Sequence, residues 1–339
     1  MLRLAVVQLA PVHGDVQGNI ARAGRLLEDA GVGKDGQGVD AVFFPEMAFT
    51  GYVFDNPEDV VPLLEDVSGL AVDAEVPTPP NPADTKPGPT IAYLSSLARG
   101  LNAHVFAGAP VALHPAESGV NSLTPGDAVY AHNIGSPDED IYGRGREKRE
   151  LGANAALVLR AGDGALVACA RKANLFRSDA GWAKAGTSFT TLDLPKLGRT
   201  CVAICMDLNP FPATNDELEV FELAEHCIAT RARVLVLLNA WLRSSSDGDG
   251  EGEEEGEDWG TIRYWAHRLR PLYTGEPAAE GEPSEVLVIV CNRTGSEGGL
   301  TFAGSSAVLR CVRGSGRAQL LDAMDGREGA AVWDVRVPA

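Results

Sequence analysis

The sequence has no apolar run approaching the ~18 residues that a transmembrane helix requires, so it offers no candidate for a membrane span. Its opening stretch, LRLAVVQLA over 2–10, is too short and too alternating for a signal peptide, and reads as a strand. Six cysteines, at 169, 201, 205, 227, 291 and 311, contain no C-x-x-C pair. Zinc spacing is therefore lacking, and a reducing compartment, cytosolic and also nuclear, is expected rather than a disulfide framework. The six histidines form no cluster with metal-ligand spacing, and no nucleotide-binding glycine motif is present. No metal and no cofactor are expected. Basic stripes are lacking too. Arg144, Arg146, Lys148 and Arg149 are interleaved with glutamates, and the formal charge is -18. That balance argues against nucleic acid and anionic membranes as partners. Part of the excess is local, because the segment 247–258 holds eight acids and no base.

What is present suits one α/β domain. At 339 residues with 45% hydrophobic content, the chain can bury a large core. Strands are expected over 2–9, 39–44, 104–108, 154–160, 165–172, 200–205, 234–239, 285–291, 300–311, 318–322 and 331–337. Asn19 is expected to cap a helix with Ile20, Ala23, Leu27 and Ala30 on one stripe. Pro89-Thr90 opens a second helix presenting Ile91, Leu94, Ala98 and Leu101, and Asn56-Pro57 a short one. Thr214 and Glu217 have capping-box spacing for a helix over 218–232, and Ile262, Trp265 and Leu269 mark another. The proline-rich 76–89 reads as an extended loop, 114–152 as a surface excursion, and 244–258 as a disordered acidic insertion. Alternation of helices and strands predicts a sheet with both faces covered.

Three polar residues stand at the ends of strands that are otherwise apolar: Glu46 after VFFP, Lys172 after ALVACAR, and Cys205 after TCVAI. Singly, each has an ordinary reading, a solvated strand end for the acid and the amine and a core position for the thiol. Together they carry a mechanism. A carboxylate can take the thiol proton and later protonate a leaving amine. An ammonium can stabilise both a thiolate and the oxyanion of a tetrahedral intermediate. Asn209-Pro210 ends regular structure just past the thiol, leaving backbone N–H groups, that of Met206 first, as oxyanion donors. The set suits cleavage of a carbon–nitrogen bond through a thioester. Cys201 is read as core rather than as a resolving thiol, since i and i+4 on a strand lie ~13 Å apart.

FPEMAFTGY at 44–52, ARKANLF at 170–176, CMDLNPF at 205–211 and NRTGSEGGLTFAGSS at 292–306 resemble, in order and interval, the nitrilase superfamily of carbon–nitrogen hydrolases. The resemblance covers nearly the whole chain, so 1–339 is expected to be one carbon–nitrogen hydrolase domain. It implies a four-layer α-β-β-α sandwich, with Glu46 as general base and acid, Lys172 as oxyanion stabiliser and Cys205 as nucleophile. Members usually carry a second glutamate eight residues after the lysine; here that position is Ala180, and Asp179 is the neighbouring acid. Related hydrolases often dimerise through the helix beside the nucleophile, which leaves room for a homo-oligomer.

CMDLNP followed by NAWL at 239–242 is most similar to the branch acting on N-terminal asparagine and glutamine of proteins. Superfamily members that take free acids commonly have an arginine four residues after the cysteine, where this chain has Asn209. A buried carboxylate without a cation is costly, so polypeptide N-termini, which bring an ammonium and no adjacent free carboxylate, are the expected substrate. Asp207 is a candidate ammonium partner, with a structural role as the alternative reading. Trp241 and Tyr52 are candidates for shaping the side-chain slot, with Trp241 as core the alternative. A small-molecule amidase or nitrilase, and an inactive relative that binds N-termini, remain as rival functions.

Overall fold

The computed structural model describes residues 1–34, 38–67, 87–113, 150–211, 220–244, 256–278, 281 and 283–336. Most of the proline-rich loop, nearly all of the 114–152 excursion, the Thr214–Glu217 capping box and the centre of the acidic insertion lie outside the described residues.

Two six-stranded sheets carry the fold. The first contains β1 (Leu2–Gln8), β2 (Ala41–Phe43), β3 (His104–Ala112), β4 (Gly152–Leu159), β5 (Leu166–Arg171) and β14 (Gly329–Val335), in the order β14-β1-β2-β3-β4-β5. The second contains β6 (Thr190–Leu194), β7 (Gly198–Ile204), β8 (Val234–Asn239), β9 (Glu285–Asn292), β12 (Ala307–Val312) and β13 (Ala318–Ala323), in the order β13-β12-β9-β8-β7-β6. β10 (Ser296–Glu297) and β11 (Leu300–Thr301) form a small separate ribbon. The central strands of each sheet are parallel and the outer ones antiparallel.

Side-chain alternation explains why these strands read as unbroken apolar runs. In β8, Val234, Val236 and Leu238 face the other sheet, while Leu235 and Leu237 face the helices. In β1, Leu4 and Val6 pack between the sheets, and Ala5 and Val7 pack under helices. With both faces buried, neither set can be polar. The helices α1 (Val16–Asp29) and α2 (Pro89–Leu101) cover the first sheet, and α4 (Glu222–Ala229) and α5 (Trp259–Arg268) the second. The result is the α-β-β-α sandwich expected from the sequence.

Several boundaries differ. α1 is capped by Asp15, which accepts from Gly18 N, and not by Asn19. Asn19 is buried inside the helix and donates to Val12 O and Phe49 O, so its amide ties the segment before the helix and the loop after β2 to it. α4 is shorter than the stripe suggested. The run over 300–311 is interrupted between β11 and β12, where Ser305 takes a positive φ of 56°. One four-residue helix, α3 (Arg177–Ala180), has no signature in the sequence because a single turn has no periodicity to show. The acidic insertion is pinned at both ends: Asp258 caps α5 and accepts from Ser244 N (2.7 Å) and Ser244 Oγ (2.6 Å).

Candidate active site

β4 runs antiparallel to β3, and β5 antiparallel to β4. The start of β4 and the ends of β2, β3 and β5 therefore share one edge of their sheet, and β7, β8 and β9 bring their own ends beside it. Glu46 lies on the loop after β2. That loop lies against β3 at Gly108, whose N–H donates to Pro45 O (3.0 Å). A Cβ at 108 would fall 2.5 Å from Glu46 Cα, so a glycine is required there.

The Glu46 carboxylate is completely buried and held by three donors. Lys172 Nζ and Asn154 Nδ2 both reach its Oε1 at 2.7 Å, and Ala240 N reaches Oε2 at 2.8 Å. Burial, reinforced by the Asp179 charge, outweighs these contacts and raises its proton affinity above the ordinary carboxylate range. Lys172 directly follows β5, and its ammonium is equally buried. It lies 2.5 Å from Asp179 Oδ2 and 3.4 Å from the Tyr52 hydroxyl. Burial works against its charge, but Asp179 and Glu46 overcompensate and lift its pKa well above the usual value.

Asp179 is presented by α3, seven residues after Lys172. Phe176 N donates to its Oδ2 (2.9 Å) and Asn154 Nδ2 to its Oδ1 (3.0 Å). The short turn brings the aspartate to Lys172 although it sits one place earlier, and on a shorter side chain, than the family pattern. Ala180, at the eighth position, is the last residue of that turn.

Cys205 starts a 3-10 helix, Cys205–Leu208, rather than simply ending a strand. Its φ is 43°, a left-handed conformation that costs a non-glycine residue about 1–2 kcal/mol. Its N–H donates to Asn239 Oδ1 (3.0 Å). Met206 N lies in the first turn, whose amides have no partner within their own helix. Burial first, and the Glu46 charge second, push the thiol well above its usual pKa, while Lys172 and the Ala240 N–H pull it back. The resting sulfur is thus a thiol beside a buried base. That arrangement agrees with the expectation that a carboxylate must take the thiol proton.

Two expected binding residues make contacts within the chain. Asp207 accepts Ala173 N (2.9 Å), Asn174 N (2.8 Å) and Ile204 N (2.9 Å), joining the loop after Lys172 to the nucleophile turn. Three backbone donors on a buried carboxylate support the structural reading of this residue. Tyr52 is buried, and its hydroxyl donates to Asp179 Oδ2 (3.3 Å), which joins it to the charged cluster. Asn209 donates to Met206 Sδ (3.0 Å) and accepts from the Tyr264 hydroxyl (2.8 Å). Trp241, half-buried, follows Ala240 directly and packs against Tyr264 and Trp265. Arg293 also faces this region, but it is ion-paired to Glu297 (2.7 Å) and lies 3.9 Å over the Phe302 ring.

Sequence reasoning missed Asn154, Asn174 and Asn239. Asn239 ends an apolar strand, the same signal that singled out Glu46, Lys172 and Cys205. Asn154 is a lone amide within an otherwise apolar strand start, GANAALVL.

A sequence profile of the carbon–nitrogen hydrolases matches residues 3–209, and the chain belongs to that family. The chain is 25% identical over 324 residues to the protein N-terminal amidase of Schizosaccharomyces pombe (strain 972), covering 92% of each. Its fold superposes on the crystal structure of an N-terminal amidase with an Asn-Glu-Ala peptide, with a TM-score of 0.71, 17% identity and coverage of 100% and 98% of the two chains. A structure of an N-terminal amidase with a Gln-Val peptide matches with a TM-score of 0.70 at 16% identity, covering 98% and 96%.

Proposed function

We propose that the chain is an amidohydrolase that converts the side-chain carboxamide of an N-terminal asparagine or glutamine of a polypeptide to the acid. The observation that carries this reading is the convergence of Glu46, Lys172 and Asp179 behind a thiol held at a left-handed turn. The likeness to N-terminal amidases along nearly the full chain supports the substrate class.

Glu46 takes the Cys205 proton as sulfur bonds to the carboxamide carbon. The oxygen of the tetrahedral intermediate receives the Met206 N–H and one Lys172 proton. Two of the three Lys172 protons are committed to Glu46 and Asp179, and the third, 3.4 Å from Tyr52, is held loosely enough to turn toward that oxygen. Glu46 then returns its proton to nitrogen, the C–N bond breaks, and ammonia leaves a thioester. A water molecule, deprotonated by Glu46, adds to the thioester. The C–S bond breaks and the sulfur recovers a proton.

Free-acid substrates fit less well. Residue 209 is an asparagine, and Arg293 is already matched by Glu297. The purified chain should release ammonia from Asn- and Gln-initiated peptides and none from their N-acetylated forms. Faster release from small free amides, or equal release from acetylated peptides, would overturn the substrate assignment. The localisation that fits is a reducing compartment, cytosolic and nuclear; among the described residues no helix is long and apolar enough to cross a membrane.

A further inference from the structure

Asn154 stands at the start of β4 and is fully buried. Its Nδ2 donates to Glu46 Oε1 at 2.7 Å and to Asp179 Oδ1 at 3.0 Å. Lys172 Nζ links the same two carboxylates through Glu46 Oε1 and Asp179 Oδ2. Two bridges therefore run in parallel, one charged and one neutral. The orientation of the amide is fixed by chemistry, because a flip would set its oxygen against two carboxylates. That orientation leaves Asn154 Oδ1 buried with no hydrogen-bond partner among the described residues. Its backbone is tied in as well, since Asn154 O accepts from Lys172 N at 2.8 Å.

We infer that Asn154 is a positioning residue for catalysis, whose carboxamide fixes the Glu46 carboxylate against Asp179 independently of Lys172 and keeps it available as a base. The independence matters during turnover. When Lys172 turns a proton toward the oxyanion, the charged bridge loosens and the neutral one remains. Asn154 also works against burial, because its donated hydrogen bond favours the ionised form of Glu46. The other groups facing Glu46 are Lys172, Asp179, the Tyr52 hydroxyl, the Cys205 thiol and Arg293. Among the cations, Lys172 touches Glu46, and Arg293 is shared with Glu297.

The inference rests on Glu46 serving Cys205 as base and does not depend on which amide is the substrate. The test is the pH dependence of Cys205 alkylation by iodoacetamide, read by peptide mass, in the unaltered chain, Asn154→Leu and Asn154→Asp, with circular dichroism to establish folding. Leucine removes both donors at similar size, and aspartate replaces the amide by a third acid. Both should move the acid limb of the alkylation profile to higher pH, by about one unit for aspartate. In kcat/KM for an Asn-initiated peptide the same limb should move, with kcat down about tenfold and KM nearly unchanged. A shifted alkylation limb without peptide turnover would sustain the inference and reject the substrate assignment. Folded variants whose limb stays in place would overturn it. So would failure of both variants to fold, which would make Asn154 a determinant of the fold and not of the base.

Discussion

Cys201 lies on β7 and Cys205 four residues later, just past that strand's end, yet the two face opposite sides of their sheet. Strand alternation would give residues 201, 203 and 205 a common face, and Cys201 and Ala203 do pack under the helices. Cys205 packs between the sheets with Ile204 and Leu238. The 43° φ produces the change of side, turning the sulfur out of the helix-facing layer and toward Glu46. Strain at this residue is thus the geometric condition for its meeting the base.

That strain should be measurable. Glycine normally destabilises a protein relative to alanine by about 0.5–1 kcal/mol. At 205 the order should invert, with Cys205→Gly at least as resistant to urea as Cys205→Ala and both inactive. A Cys205→Gly protein clearly less stable than the alanine variant would mean that the turn is not strained.

The Lys172–Asp179 pair is fully buried, so removing the acid leaves an ammonium with a single carboxylate partner. Asp179→Ala should cost about 3–5 kcal/mol of unfolding free energy and lower kcat by about 100-fold or more. Adding Ala180→Glu to that variant should restore little, because residue 180 points about 100° further round the turn. Full rescue by Ala180→Glu would show that α3 can rearrange and that the aspartate is not the required acid.

Asp207 predicts a pH effect on stability. Burial raises its pKa from 3.8 to about 7, against three backbone hydrogen bonds. A raised carboxyl pKa favours the folded state at low pH. Its contribution is complete below pH 3.8 and is lost as pH rises to about 7. Relative to Asp207→Asn, the unaltered chain should lose up to about 4 kcal/mol between pH 4 and 7 in urea unfolding. Parallel stability curves would show that Asp207 is ionised in the fold throughout.

Tyr52 and Trp241 should separate kinetically. The Tyr52 hydroxyl makes only long contacts to Asp179 and Lys172, so Tyr52→Phe should lower kcat about three- to tenfold with KM unchanged. Trp241 is half-buried beside Ala240, and Trp241→Ala should raise KM for peptides about tenfold with little change in kcat. The opposite pattern would place Tyr52 in the substrate slot.

Much of this architecture is legible in the sequence because both faces of each central strand are buried. VLVLLN and EVLVIVCN have nowhere to place a polar residue except at an end, and the ends meet. Glu46, Lys172 and Cys205 are visible for that reason. Asn154 is not, because an antiparallel strand brings its first residues to the edge where parallel strands bring their last, and pairing direction cannot be read from one strand. The place of Asp179 depends on a single helical turn, and that of Asp207 on which backbone amides converge on it. Neither leaves a periodic trace.

The central claim is a thioester at Cys205 formed from a substrate carboxamide. The direct measurement is acid quenching during turnover of an Asn-initiated peptide, followed by peptide mapping of the chain. The account predicts an adduct of peptide less ammonia on Cys205 alone, lost on hydroxylamine treatment and not formed by Glu46→Gln. Ammonia release with an adduct at another cysteine, or undiminished release by Cys205→Ala, would contradict it.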